Sequence, residues 1–214
     1  MSELFSEVDE DLRREQLKKL WDRYSLHFIA LIVLIVAGVG GWRGYQYFEN
    51  QKAEAAGKEF EAAVALTDPV QAQAAFDKIA SGNAQGYSAL ARLHAAAEAA
   101  KQDSQKGVAA FDAIANDGKT DAEIREVARL RAAGLMLDTV SYDEIEKRLS
   151  NDASGTHTFR HSARELLALS AWRAKNNDAA RKWLDMIGDD PQSPATLRRR
   201  AEALLALLPP AAKS

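Results

Sequence analysis

The sequence predicts an all-α protein in which an N-terminal transmembrane helix is followed by an α-solenoid of about four helix pairs. First, the run from Phe28 to Trp42 is apolar and uncharged. Second, the remainder is rich in alanine, poor in proline and without alternating β-branched runs after residue 50, which favours helices. Third, two short patterns recur there with a period of about 36 residues, as in stacked helical repeats.

Residues 1–23 are predicted to form a short amphipathic leader. Val8, Leu12, Leu20 and Tyr24 fall on one helical face and charged residues occupy the rest, as in helices that lie at a membrane surface. A docking or degradation signal read by a cytoplasmic partner is the alternative interpretation.

Residues 24–48 are predicted to be the transmembrane helix, because a bilayer core needs about 20 apolar residues. Phe28, Ile35 and Trp42 mark the start, middle and end of the uncharged run. A cleaved signal peptide is an alternative, but the leader is long and acidic, and the run ends in bulky Trp42, followed by Arg43, with no clear cleavage site. A buried core helix is disfavoured because the run has no polar side.

Basic residues near the span predict its orientation. Five precede it (Arg13, Arg14, Lys18, Lys19 and Arg23) and three follow it (Arg43, Lys52 and Lys58). Lys and Arg are enriched on the cytoplasmic side, so we expect a single-pass type II protein. In a bacterium it would lie in the inner membrane with its C-terminal domain in the periplasm.

Residues 49–67 are predicted to be an entry helix. Ala53, Ala56, Phe60 and Ala63 form an apolar stripe at helical spacing. We expect this helix to continue the span and to pack on the first repeat. A coiled-coil dimer seam is the alternative interpretation.

Residues 68–208 are predicted to be the repeat domain, and residues 209–214 a tail that begins with Pro209-Pro210. One pattern runs from an aromatic to an aliphatic residue in Phe76–Ile79, Phe111–Ile114 and Trp183–Ile187, with Ile145–Leu149 as a weaker copy. The other recurs at Ala91-Arg92, Ala128-Arg129, Ala163-Arg164 and Ala201-Glu202. Two patterns in each period predict two helices per repeat, and repeats of this kind stack into a continuous core.

Several kinds of chemistry are disfavoured by composition. The chain has no cysteine and a net charge of −3, which excludes thiol chemistry and makes nucleic acid a poor partner. His157, His161 and Glu165 are spaced four apart, as zinc ligands on a helix can be, so a zinc-dependent hydrolase is an alternative. No general base or glycine-rich turn accompanies them, and the solvated start of a repeat helix is the favoured interpretation. We expect no enzyme activity, cofactor or metal.

Two resemblances add to this interpretation. Leu166, Ala179, Trp183, Met186 and Pro191 are similar to the pattern of a tetratricopeptide repeat (TPR). The charged leader, the span ending in Gly-Gly-Trp-Arg-Gly-Tyr, the alanine-rich entry helix and the degenerate repeats together resemble the YfgM-like family. This resemblance implies a TPR-like ancillary subunit of the SecYEG translocon. It also implies association with PpiD, a membrane-anchored periplasmic chaperone similar to prolyl isomerases.

The sequence therefore predicts a non-catalytic, membrane-anchored scaffold that binds other envelope proteins, and the resemblance to the YfgM-like family implies that it assists secreted proteins. Candidate contact residues on a concave face formed by the first helix of each pair are Tyr87, Arg92, Arg129, Arg131 and Arg164. The partners that this resemblance implies are Sec translocon proteins, PpiD and unfolded secreted proteins, and we expect no nucleic acid or small-molecule substrate. A TPR assembly factor for another envelope complex, such as cytochrome c maturation, and a passive dimeric spacer are the alternatives.

Overall fold

The computed structural model describes residues 3–82, 84 and 86–210, and before Trp21 the only side chain that it describes is that of Lys18. Within these residues the chain forms helices and no strand, which confirms the predicted fold class. The helices are α1 (Glu3–Val64), α2 (Pro69–Ala80), α3 (Tyr87–Gln102), α4 (Ser104–Ala115), α5 (Ala122–Met136), α6 (Tyr142–Leu149), α7 (Arg160–Arg173), α8 (Asn177–Gly188) and α9 (Ala195–Leu207).

The chain divides into two compact units, Met1–Glu54 and Ala55–Ser214. Among the described helices, only α1 is long and apolar enough to cross a membrane. The candidate span is Trp21–Val64, and none of its apolar window is buried. Phe28, Ile35 and Trp42 are each more than half exposed. The side chains of Val8, Leu12 and Leu20, which belong to the predicted apolar face, are not among those that the structure describes. Residues 211–214 of the predicted tail lie outside the described residues.

The second unit is a linear stack in which each helix from α2 to α9 packs on the next along the chain. Its core consists of three clusters in chain order rather than one centre. Phe76 anchors the first, Phe111 the second, and Leu167 with Trp183 the third. Local clusters of this kind are typical of repeat arrays, in which a repeat contacts only its neighbours.

The two sequence patterns fall on alternate helices. The aliphatic positions Ile79, Ile114, Leu149 and Ile187 lie in α2, α4, α6 and α8, and the alanines Ala91, Ala128, Ala163 and Ala201 lie in α3, α5, α7 and α9. All eight are buried. The alanines let neighbouring helices approach closely, while the larger side chains fill the space between them.

Capping side chains explain where the helices of the first pattern begin. Asp68 accepts a hydrogen bond from the backbone amide of Val70 at 2.8 Å, and Pro69 begins α2 with a backbone angle suited to the first turn. Asp103, Ser141 and Asn176 cap α4, α6 and α8 in the same way. Each cap satisfies amides that a helix start leaves without partners, and so fixes the register of its repeat.

Candidate protein-binding site

The five predicted contact residues lie on alternate helices of the array. Tyr87 and Arg92 belong to α3, Arg129 and Arg131 to α5, and Arg164 to α7. The structure gives four of them contacts within the domain and leaves Arg131 exposed.

Tyr87 holds the end of α1 against the array. Its ring centroid lies 5.9 Å from that of Phe60, and Phe60 in turn makes an edge-to-face contact with Phe76 at 5.2 Å. A Cβ atom on Gly57 would lie 2.9 Å from the Tyr87 hydroxyl oxygen, so only glycine lets the ring approach this closely. Within the unit Ala55–Ser214, the end of α1 therefore packs on α2 and α3.

Three of the predicted arginines form what we term loop clamps. Each arginine binds an aspartate in the loop that follows the next helix, the pairs being Arg92 with Asp117, Arg129 with Asp152 and Arg164 with Asp190. Each clamp joins a helix of the second pattern to the far end of the following helix.

The central clamp has the most buried aspartate of the three. Arg129 donates from Nε to Asp152 Oδ2 at 2.7 Å and from Nη2 to Oδ1 at 2.9 Å, a bidentate geometry that suits guanidinium and carboxylate. The Asp152 side chain is 1% exposed. The bond to Asp152 raises the pKa of Arg129 above its ordinary value.

The outer clamps sit in wider hydrogen-bond networks. Arg92 Nη1 donates to Asp117 Oδ2 at 2.7 Å, and the pKa of Asp117 falls to about 2 because the amide of Lys119 and the guanidinium of Arg92 donate to it. At the other end, Asp190 accepts from Arg160 at 3.0 Å and from Arg164 at 3.2 Å.

Arg164 also holds the loop after α6 and the last turn of α8. It donates to the backbone oxygen atoms of Ala153 and Met186 at 3.0 and 2.9 Å. The pKa of Asp190 falls to about 2, chiefly because Arg160 donates to its carboxylate. The clamps thus give Arg92, Arg129 and Arg164 a structural role, and their part in binding other proteins stays a prediction.

A groove of about 640 Å³ lies across α3, α5 and α7. We term it the α3/α5/α7 groove. Its apolar lining consists of Ala97, Ala100, Phe111, Val127, Leu130, Leu135, Phe159 and Leu166, and its polar lining of Lys101, Arg131, Ser162 and Glu165. Gly134 also lines it and is exposed. Its volume is that of a pocket that holds a small ligand or a few side chains.

Charge along this groove is unevenly compensated. Glu165 accepts two hydrogen bonds from Arg200, at 2.7 and 2.8 Å, and Lys101 donates to Glu98 at 2.7 Å. Arg131 is exposed and forms no ion pair with any residue that the structure describes. The uncompensated charge of the groove is therefore positive.

The structure does not bring the alternative zinc ligands together. His157 precedes α7, which begins at Arg160. His161 is buried, with its Nε2 atom 3.6 Å from Asp190, and Glu165 binds Arg200. Over the described ranges, no group of three or more histidine, aspartate or glutamate residues is arranged to hold a metal ion.

Sequence reasoning missed most of the groove lining. The groove is formed by side chains from three helices that are far apart in the chain, and its floor includes Phe111 from a fourth. One signal was present in the sequence. Gly134 lies inside a helical pattern, where glycine costs about 1 kcal/mol relative to alanine, and such a glycine often has a packing or functional reason.

Comparison with known proteins agrees with the architecture of the array. No curated protein and no solved structure matched the chain. The family described as "Tetratricopeptide repeat-like domain" matches residues 18–182, which reach from before the apolar run into α8. Domains of this class are protein-interaction scaffolds and are generally non-catalytic. The chain belongs to the tetratricopeptide repeat-like family.

Proposed function

We propose that this protein is a membrane-anchored, non-catalytic scaffold that binds other proteins in its α3/α5/α7 groove. The groove is the observation that supports this proposal most directly. It combines apolar side chains from three helices with one uncompensated cation, Arg131. Because the chain belongs to a family of protein-interaction scaffolds, another polypeptide is the expected occupant of the groove.

Anchoring by residues 24–48 would place leader residues 1–23 in the cytoplasm and residues 49–214 on the outer face, the periplasm in a bacterium. Support comes from the length of the apolar run and from the excess of basic residues before it. Anchoring raises the effective concentration of any partner in the same membrane. A groove of modest size then suffices for useful association.

The finer assignment is an ancillary subunit of the Sec translocon, similar to the YfgM-like proteins. Partners would then be SecYEG, the chaperone PpiD and unfolded secreted proteins. The sequence supports this through the Gly40–Tyr45 span exit and the order of leader, span, entry helix and repeats. The family match includes both the span and most of the repeats.

Site-specific crosslinking in membranes tests the partner assignment. A photoreactive amino acid at Ser162 would lie in the groove, and the same amino acid at Asp185, which is exposed on α8 and does not line the groove, is the matched control. We expect adducts with translocon subunits and PpiD from position 162 only. A profile without these proteins ends the Sec assignment, and one dominated by cytochrome c maturation proteins establishes the alternative.

A topology reporter tests the anchoring separately. Alkaline phosphatase needs the oxidising periplasm to form its disulfides, so its fusion after Ser214 should be active in whole cells. A fluorescent protein that matures only in the cytoplasm is the complementary fusion and should stay dark. The opposite pair of results would place the array in the cytoplasm and refute the periplasmic proposal.

A further inference from the structure

We infer that the α3/α5/α7 groove selects a segment of another protein that carries a bulky apolar side chain beside a carboxylate. Arg131 pairs with the carboxylate, and the open space above Gly134 receives the apolar side chain. This inference rests on the proposed function and adds to it the chemistry that the bound segment must present.

The apolar half of the selection follows from the groove walls. Leu130 and Leu166 are half-buried and line it from α5 and α7, and Phe111 is 3% exposed beneath them. The surface that remains in contact with solvent is mostly carbon. Covering it releases water and favours an apolar side chain over a polar one.

Gly134 lines the groove and leaves room there for that side chain. A Cβ atom built on Gly134 would meet no heavy atom within 4 Å, so the helix surface at this point is open. Packing within the domain therefore does not require glycine here, although glycine weakens the helix. The space left by the missing side chain is available to a ligand.

The carboxylate half follows from charge. Arg200 neutralises Glu165 and Glu98 compensates Lys101, whereas Arg131 stays exposed at the rim. A guanidinium matches the two oxygen atoms of a carboxylate in a bidentate geometry. A segment with a basic residue at the same place would meet an unfavourable charge.

Binding of defined peptides to the full-length chain in lipid nanodiscs tests the inference by fluorescence anisotropy. The peptides share a flexible Ser/Gly host and differ only in a central Leu-Phe-Glu, Leu-Phe-Gln, Leu-Phe-Lys or Ala-Ala-Glu. We expect Leu-Phe-Glu to bind best, Leu-Phe-Gln about fivefold more weakly, since an exposed ion pair contributes up to about 1 kcal/mol, and Leu-Phe-Lys more weakly still. Ala-Ala-Glu should bind least. No binding of Leu-Phe-Glu, or equal binding of all four, overturns the inference.

Variants assign the two halves of the selection to residues. Arg131→Glu should reverse the preference between Leu-Phe-Glu and Leu-Phe-Lys, and Gly134→Leu should weaken both about tenfold. Matched controls are Arg199→Glu, an exposed arginine of α9 outside the groove, and Gly188→Leu, whose added side chain also meets open space. Circular dichroism checks that each variant folds. If Gly134→Leu does not fold, Gly134→Val takes its place. Unchanged peptide preference in Arg131→Glu overturns the inference.

Two further results separate this inference from the functional proposal and from lipid binding. If crosslinks from Ser162 persist while the peptides show no charge preference, the scaffold function stands and the selection rule fails. A free fatty acid has the same chemistry without a peptide. Displacement of Leu-Phe-Glu by dodecanoate in the concentration range at which the peptide itself competes would overturn the assignment to a protein segment.

Discussion

Replacing Arg129 by methionine is expected to destabilise the array more than replacing Asp152 by alanine, although both changes remove the same two hydrogen bonds. The Asp152 side chain is 1% exposed and that of Arg129 is 29% exposed. Without the guanidinium, the carboxylate stays buried and unpaired, which costs about 3–5 kcal/mol. Without the carboxylate, Arg129 turns toward water, and the loss is nearer the value of a charged hydrogen bond, about 1.5–3 kcal/mol.

The double variant Arg129→Met/Asp152→Ala makes this reasoning sharper. It removes the buried charge together with its partner, so its free energy of unfolding should lie near that of Asp152→Ala and above that of Arg129→Met. The assay is urea unfolding of the full-length chain in detergent, followed by circular dichroism. Arg199→Met is the control, since its side chain is exposed and surface changes stay within about 0.5 kcal/mol. Equal losses in the two single variants, or a double variant that loses their sum, would refute the reasoning.

Three further outcomes are expected from thermal melts or urea unfolding. Gly107→Ala should lower the melting temperature, because its new Cβ would lie 2.3 Å from the Cβ of Ala100. Gly134→Ala meets no such contact and should raise the free energy of unfolding by up to about 1 kcal/mol. A more stable Gly107→Ala and a less stable Gly134→Ala would contradict this packing. The pKa of Asp190 is about 2 in the folded chain against an ordinary 3.8, so its contribution is present above pH 3.8 and lost as pH falls toward 2, and Asp190→Asn should flatten that decline. Burial, and then Arg160, lower the pKa of His161 below 6.5, so folding should weaken as pH falls through 6.5, and His161→Gln should remove that component; an unchanged slope would count against it.

The helical array could be predicted from sequence because its information is local. Buried positions recur at helical spacing, and capping residues stand directly before the helices that they start. The weak copy Ile145–Leu149 shows how far this reaches. Its sequence has no aromatic residue at the usual place, yet both residues are fully buried in α6, because the register of the repeat still places them against the neighbouring helices.

The roles of the arginines could not be predicted in the same way. Arg92, Arg129 and Arg164 lie 23 to 26 residues from the aspartates that they bind. From the sequence alone, an arginine that recurs on a helix is equally consistent with a solvated face and with a ligand-binding face. One signal was present in the sequence: each of the three Ala-Arg pairs is followed, 23 to 26 residues later, by an aspartate in a turn. For the α3/α5/α7 groove the sequence offered only Gly134 as a signal. Which residues of each helix face the groove is set by packing between repeats, and the sequence pattern does not show it.

The clamps and the groove use opposite sides of the same helices, and this limits where charge can be recognised. Successive residues of a helix are rotated by about 100°, so Arg131 points away from the side on which Arg129 holds Asp152. The equivalent positions in the other two clamp helices are His94, which packs at 4.9 Å from the Phe76 ring, and Leu166, which lines the groove. Only α5 therefore adds an arginine at this position among the three helices that line the groove. It follows that stability and selection can be separated within one turn of α5. Arg129→Met should lower the free energy of unfolding and leave the peptide charge preference of the folded fraction intact. Arg131→Glu should leave the free energy of unfolding nearly unchanged and reverse that charge preference.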